Sequence, residues 1–318
     1  MLQKILGLPI NASAHGAEND RLILYVHILM VVLFVGWIAF FLYTIFRFRK
    51  GKHPKADYMG VRTHASSYLE ATVAVVEVAL LVGLSIPFWS WKVSAFPTEP
   101  NTVRVRVIAQ QFAWNIHYPG PDGAFGRTDI KLVNESAGGD GVIGLDRKSD
   151  PHAKDDIVTV NQLHLPVNRP AVIEITTKDV IHSFSLPVMR VKQDAVPGMV
   201  IPIHFVPTKT SDQMREELAT TITLPTTKSV DSYVAMEDYQ AKDGSVLVKK
   251  GRSVSGDAAT KLVENGVTSI RIGPRYPAEI ACAQLCGLGH YRMRGYLVID
   301  SEKDHEAWVK DQEDSLTE

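Results

Sequence analysis

Two stretches near the start of the chain are apolar on every side. Residues 22–46 read LILYVHILMVVLFVGWIAFFLYTIF and contain no Asp, Glu, Lys or Arg. As a helix they would reach roughly 37 Å at about 1.5 Å per residue, against a hydrocarbon core of about 30 Å. Residues 71–91 carry one acid, Glu77. A soluble helix keeps a polar face over such a length, so both runs are expected to cross a membrane. From Val103 onward the period changes to two. Val103-Arg-Val-Arg-Val alternates apolar and polar positions, which turns one face of a strand toward a core. Further β-rich runs at 157–160, 171–176, 200–206 and 295–299 are separated by Pro, Gly and Asn turns. That rhythm predicts a sandwich or barrel.

The pattern divides the chain into four parts: an N-terminal segment 1–21, a transmembrane hairpin 22–95, an all-β domain 96–300 and a charged tail 301–318. Residues 119–156 are Gly/Asp-rich and read as a long loop or hairpin excursion. Residues 208–275 read as an insertion, with a strand at 246–248 and a short helix at 258–264. The tail is expected to be a surface helix that frays. Ala12-Ser13-Ala14 looks like a cleavage site, but the apolar run before it is short and broken by Pro9, so a retained segment is expected.

Charge orients the hairpin. The linker between the spans carries Arg47, Arg49, Lys50, Lys52, Lys55 and Arg62 against Asp57. Positive loops stay on the cytoplasmic side. Both termini and the β domain are then outside, in the periplasm of a bacterial-type inner membrane. Tyr25, Trp89 and Trp91 fall at the outer interface and Tyr43 near the inner one, as aromatic belts do. Overall composition is ordinary, 45% hydrophobic and 22% charged with a formal net charge of −1. It offers no basic stripe for nucleic acid; lipid is the partner it does imply.

The chemistry lies near the end. The chain has two cysteines, Cys282 and Cys286, in Cys-Ala-Gln-Leu-Cys-Gly-Leu-Gly-His-Tyr-Arg-Met. His290 and Met293 complete a set of soft or borderline donors. Thiolate and thioether select copper, and imidazole suits it too. A mononuclear blue site needs one Cys, two His and a weak axial Met; the second Cys allows two thiolates to bridge two ions. His182, in Asp-Val-Ile-His-Ser-Phe-Ser after a predicted strand, is the candidate second imidazole. A Cys pair alone fits a disulfide as well. The His and Met at fixed spacing, with His182, favour copper over that pairing. They also favour copper over zinc, for which Met is a poor ligand. His27, His117 and His204 are read as packing or interface residues, and Met189 and Met199 as core or contact residues.

The loop resembles the CuA motif Cys-x-Glu-x-Cys-Gly-x-x-His-x-x-Met of cytochrome c oxidase subunit II. The resemblance extends over the hairpin, the His182 segment and Asp194-Ala-Val-Pro-Gly. It implies a membrane α-hairpin followed by a cupredoxin-like domain. Two copper ions would be bridged by Cys282 and Cys286, one completed by His182 and Met293 and the other by His290 and the backbone carbonyl of Gln284. It also implies an oxidoreductase subunit of a proton-translocating respiratory oxidase. Electrons would pass from a soluble or complex-bound c-type cytochrome, through copper, to haem in subunit I, where oxygen is reduced. There is no Cys-x-x-Cys-His for a fused c-type haem.

Four positions depart from the family pattern or carry a second reading. Gln284 stands where the family has Glu; a neutral amide is a weaker ligand for a hard cation, which weighs against the family's magnesium site at the subunit I interface. Phe112, in Gln111-Phe-Ala-Trp114, stands where the family has the Trp that accepts the electron, and Trp114 matches its second Trp. Glu70 matches a family Glu at a proton-channel mouth, or is a helix N-terminal acid favoured by the dipole. Glu77 stands where the family often has Pro; an acid in a membrane span invites a functional role or a bond to a neighbouring subunit. Asp179, Asp194 and Glu279 lie near the ligands and could dock a basic donor. Three other readings compete. A quinol oxidase subunit would lack the ligands, a nitrous oxide reductase would need a propeller, and a membrane-anchored copper carrier or assembly protein would share the fold.

Overall fold

The computed structural model describes residues 5–56, 58–60, 62–226 and 230–316, so Asp57 of the basic linker lies outside the described residues. The chain forms two compact units, one of Ala17–Phe96 with the first residues, the other of Pro9–Gly16 together with Pro97–Glu318.

The first unit is helical. Helix α1 spans Gly16–Arg47 and α2 spans Ala65–Ser94, both long and apolar enough to cross a membrane. Each runs beyond the apolar stretch that signals it, because polar residues add flanking turns at both ends. Arg47 closes the last turn of α1, where a cation complements the carbonyl end of the dipole. The α2 backbone widens into a π-type turn over Leu81–Ser85, just before Pro87, whose ring can donate no hydrogen bond. No residue of Ala65–Leu80 is buried, and Trp37, Phe40 and Phe41 on α1 are more than half exposed. Side chains apolar all round and uncovered by protein need lipid.

The second unit is built on two five-stranded sheets. Its strands are β1 (Val103–Gln110), β2 (Ala113–Tyr118), β3 (Ile157–Val160), β4 (Gln162–Pro166), β5 (Ala171–Thr177), β6 (His182–Leu186), β7 (Val191–Ala195) and β8 (Ile201–Phe205), then β9–β13 of the insertion, β14 (Glu279–Cys282) and β15 (Arg294–Asp300). One sheet has the order β3-β2-β1-β5-β8 and the other β4-β15-β14-β6-β7. Side chains along β5 alternate buried and half-buried from end to end, the two-residue period that lets a strand face a core. Val105, Val107, Ile173 and Ile175 from one sheet meet Leu163, Phe184, Leu186 and Ile299 from the other in a single core. Met189 belongs to it, whereas Met199 is 52% exposed and does not.

Three attachments complete this unit. Residues 9–16 lie along it as a strap: Ala12 donates to the Val188 carbonyl at 2.9 Å and accepts from Thr208 at 2.8 Å. The Ser13 hydroxyl donates to the Met189 carbonyl at 2.9 Å. The segment 119–156 is not an open loop but short helical turns, including α3 (Asp140–Ile143). Ion pairs Arg127–Asp146 and Arg147–Asp140 tie it together, and His117 meets Asp156 at 2.5 Å with both side chains fully buried. Residues 208–275 carry α4 (Ser211–Leu218), then β9 (Thr220–Thr223), β10 (Tyr233–Ala235), β11 (Tyr239–Gln240), β12 (Val246–Val248), α5 (Gly256–Glu264) and β13 (Ser269–Pro274). Leu224, Val254, Leu262 and Ile270 give this part a core of its own.

The tail is helix α6, Glu302–Leu316. Trp308 stacks on His164 with centroids 4.3 Å apart and meets the ring edge of Tyr118 at 5.2 Å. His305 on the same helix is buried. Burial holds its imidazole below the ordinary value; Asp300 and Glu302 oppose that shift, while Arg169 and His164 reinforce it. The docked helix therefore prefers neutral His305. Its stability is fully present above the unfolded value near 6.5 and is lost as pH falls below that toward the lowered folded value. Amide protection along α6 should decline as pH falls below about 6.5, and His305→Gln should flatten that decline. Protection that is independent of pH in the unaltered chain would contradict this.

Candidate metal centre

The ligand loop leaves β14 at Cys282 and returns at Arg294 of β15. Its neck is closed by hydrogen bonds from Cys282 N to Met293 O at 3.3 Å and from Ala283 N to Ser183 O at 3.0 Å. His182 opens β6 and pairs with Ala195 of β7, which turns its ring inward. Cys282, at the end of β14, pairs with Phe184 of β6. Two adjacent strands thus bring together residues a hundred positions apart in the chain.

The donor atoms converge. His182 Nδ1 lies 3.8 Å from Cys282 Sγ, and the two sulfurs are 3.8 Å apart. Cys286 Sγ stands 3.5 Å from His290 Nδ1 and 3.7 Å from Met293 Sδ. The Gln284 carbonyl is 3.2 Å from Cys282 Sγ. Donor atoms of His182, Cys282 and Cys286 all lie within 4.8 Å of one another. Both cysteines are free; a disulfide requires sulfurs about 2.05 Å apart.

His182 and Cys286 are buried and Met293 is 3% exposed. Burial, then the neighbouring Cys282 thiol, pushes the Cys286 thiol well above its ordinary range. Two adjacent thiolates are unfavourable there without a cation, and a cation that displaces their protons relieves that cost. The residues therefore fit a soft metal: two sulfur anions, imidazoles and a thioether.

Asp179 orients the first imidazole. Its Oδ1 accepts from His182 Nε2 at 2.8 Å, and its Oδ2 accepts the Gln111 amide at 2.7 Å. A proton held on Nε2 leaves the Nδ1 lone pair facing the sulfurs, the arrangement by which outer partners fix a ligating histidine. In the sequence Asp179 is legible only as a nearby acid; its spacing of three from His182 is the available signal. Asp179→Asn is expected to weaken metal affinity by roughly 10–100-fold, measured by competition with a chelator. Unchanged affinity would mean that packing alone orients the ring.

The other sheet supports the loop from beneath. The Gln111 side-chain amide donates to the Cys286 carbonyl at 2.6 Å. A Cβ at Gly289 would collide with the Phe112 ring, so the loop lies flat on it; Gly287, at φ +129°, adopts a backbone that L side chains rarely take. Trp114 is fully buried, edge-on to Phe184 at 5.5 Å and to His182 at 6.2 Å. Phe112 and Trp114 thus flank the cluster. Glu70 and Glu77 lie on α2 in the helical unit, both exposed. Of the acids considered for docking, Asp179 is engaged by His182 and Glu279 pairs with Arg294 at 3.1 Å.

Long apolar helices joined to a cupredoxin-like β domain with a soft-metal donor cluster define a membrane-anchored electron-transport protein. Residues 103–214 match the family model for the periplasmic domain of cytochrome c oxidase subunit II. The alternative cytochrome c oxidase subunit 2 of Bradyrhizobium diazoefficiens is 25% identical over 282 residues, 88% of this chain and 75% of that protein. Cytochrome c oxidase subunit 2 of Cereibacter sphaeroides is 26% identical over 203 residues, 62% of this chain and 63% of its own length. Among solved structures, the periplasmic domain of subunit II of cytochrome oxidase of Bradyrhizobium japonicum has 17% identity and a TM-score of 0.35, covering 70% of this chain and 99% of that one. These similarities support a subunit II of a haem–copper oxidase, a membrane-anchored protein with its β domain outside.

Proposed function

We propose that the cluster holds two copper ions in one dinuclear centre, and that this centre carries electrons from a c-type cytochrome to haem in subunit I. The observation that carries the reading is the pair of unjoined sulfurs 3.8 Å apart, with the His182 donor among them. When bound, the copper pair supplies a one-electron carrier shared over two nuclei. Cys282 and Cys286 would hold it between them, with His182 and Met293, and His290 and the Gln284 carbonyl, as the further donors. Burial of His182, Cys286 and Met293 excludes water and holds the donors in place, which suits repeated electron transfer better than copper delivery, where ligands must exchange. Gln111 links its own sheet to Cys286 through one hydrogen bond. Phe112 and Trp114 flank that route, and Glu70 is the proton-channel candidate.

The hairpin reading gains support from the strap. Residues 9–16 precede α1, yet they hydrogen-bond within the β unit that follows α2. The segments flanking the two helices then lie on one side of the membrane, as two spans with a basic cytoplasmic linker require.

Rapid mixing of the intact oxidase with reduced cytochrome c tests the route. The copper absorption should bleach first and haem reduction should follow it. Haem reduced at full rate while the copper stays oxidised would overturn the proposal. Met293→Leu should retain two coppers per chain and shift the reduction potential, because axial ligands tune copper sites. Loss of all bound copper in that variant, read by metal analysis, would count against an axial role.

A further inference from the structure

The chain leaves one sheet at the end of β3 and enters the other at the start of β4, and Asn161 is the single residue between them. Its φ is +60°, a left-handed backbone that Asn tolerates better than most side chains. The pairing of β2 with β3 ends at Asn115 and Val160, one position short of Trp114. Asn161 extends it. Its side-chain Oδ1 accepts from the Trp114 amide at 2.8 Å, and its own amide donates to the Trp114 carbonyl at 2.7 Å. Its carbonyl accepts from the Tyr296 amide on β15 at 2.8 Å. One residue thus joins a strand of each sheet, and both strands lead to the metal cluster. The buried Trp114 ring lies against His182, with centroids 6.2 Å apart. Among the described residues no protein atom accepts from its Nε1, so packing and backbone set where the indole stands. On the other side, β15 starts at Arg294, the residue after Met293. A Cβ at Gly295 would stand 3.1 Å from the Asn161 carbonyl oxygen and 3.2 Å from Trp114 Cδ1. Corner, indole and strand therefore press on one another two residues from Met293.

Resting on the dinuclear copper reading proposed above, we infer that Asn161 is a positioning residue of the centre. It holds the indole against His182 and holds the strand that leaves Met293, two of the donors in that reading. Outer partners orient ligating imidazoles, and the axial ligand tunes the potential of a copper site. Asp179 fixes the His182 ring at Nε2; Trp114 limits how far the same ring can swing. Without the Asn161 Oδ1, the amide of a fully buried residue loses its acceptor. An unpaired buried amide is unfavourable, and β2 can relieve it only by moving.

The full chain in detergent, loaded with copper, is compared with Asn161→Gly and Asn161→Asp by electron paramagnetic resonance, redox titration and competition with a chelator. Gly keeps the left-handed backbone and removes the acceptor; Asp keeps both. Asn161→Gly should retain two coppers per chain, shift the reduction potential and change the hyperfine pattern. Its copper affinity should fall by on the order of tenfold, the low end for outer partners of a metal site. Asn161→Asp should restore the unaltered values. An unchanged potential and hyperfine pattern in Asn161→Gly, whatever its stability to denaturant, overturns the inference, because the corner would then be structural only. The same shift in both variants overturns it also, because the acceptor oxygen would not be its source. If Asn161→Gly fails to fold, Gly295→Ala presses on the same corner from β15 and should shift the potential; a folded, two-copper Gly295→Ala with no shift overturns the inference. Absence of the shared-electron signal in the unaltered chain is a failure of the copper reading, whereas a normal signal that ignores Asn161 is a failure of the positioning role alone.

Discussion

Replacing Cys286 with Ser should remove the shared-electron copper signal and cut oxygen uptake with cytochrome c by more than about a hundredfold, beyond the range seen for outer partners of a metal site. Changes to such partners cost roughly 10–100-fold, and Cys286 is the residue whose sulfur stands nearest to two other donors, His290 Nδ1 and Met293 Sδ. A serine hydroxyl is harder, is protonated at neutral pH and does not bridge two soft ions. One ion held by the remaining donors, or none, is the expected metal content. The fold should survive, because the loop neck is closed by backbone bonds of Cys282 and Ala283. Metal analysis with circular dichroism separates the outcomes: two coppers in a folded Cys286→Ser variant would deny Cys286 a bridging role.

The second large effect lies away from the metal. Asp156→Ala should destabilise the β unit by about 3–5 kcal/mol, the usual cost of removing one member of a buried pair. Asp156 Oδ2 meets His117 at 2.5 Å and also accepts the Gly126 amide at 2.8 Å. Removing it leaves a buried imidazole and an amide unsatisfied. The consequence reaches the site, because Lys178 next to Asp179 bonds Glu135 and the Val142 carbonyl of the same segment. Asp156→Asn keeps acceptors for both partners and should cost less. Denaturant unfolding of the two variants measures this. A loss below about 1 kcal/mol for Asp156→Ala, the scale of surface ion pairs, would mean that the segment 119–156 is held by those pairs alone.

What is legible in the sequence is whatever local pattern encodes. The charge-free run over residues 22–46 declares a span, the alternation at Val103 declares a strand, and four donors within twelve positions declare a soft-metal loop. His182 is legible because a polar residue follows a strand-like run. The strap at 9–16 is not. Its partners Met189, Val206 and Thr208 are nearly two hundred positions away, and the bonds run mostly through backbone, which no residue type advertises. The His117–Asp156 pair is hidden for the same reason: neither residue alone reveals whether it is solvated or paired. Asp179 reads as a docking charge because spacing alone does not say which side of a turn faces a ring. Met199 reads as a core or contact residue beside Met189; the turn after β7 leaves it outside the core.

The most direct test of the central claim is electron paramagnetic resonance of the full chain in detergent, loaded with copper, alongside metal analysis. The full chain is needed because a fragment starting at the β domain would lose the strap. Two coppers per chain with one unpaired electron spread over both nuclei is the result the account predicts. A single-copper spectrum, or no copper with Cys282 and Cys286 joined as a disulfide, would contradict it.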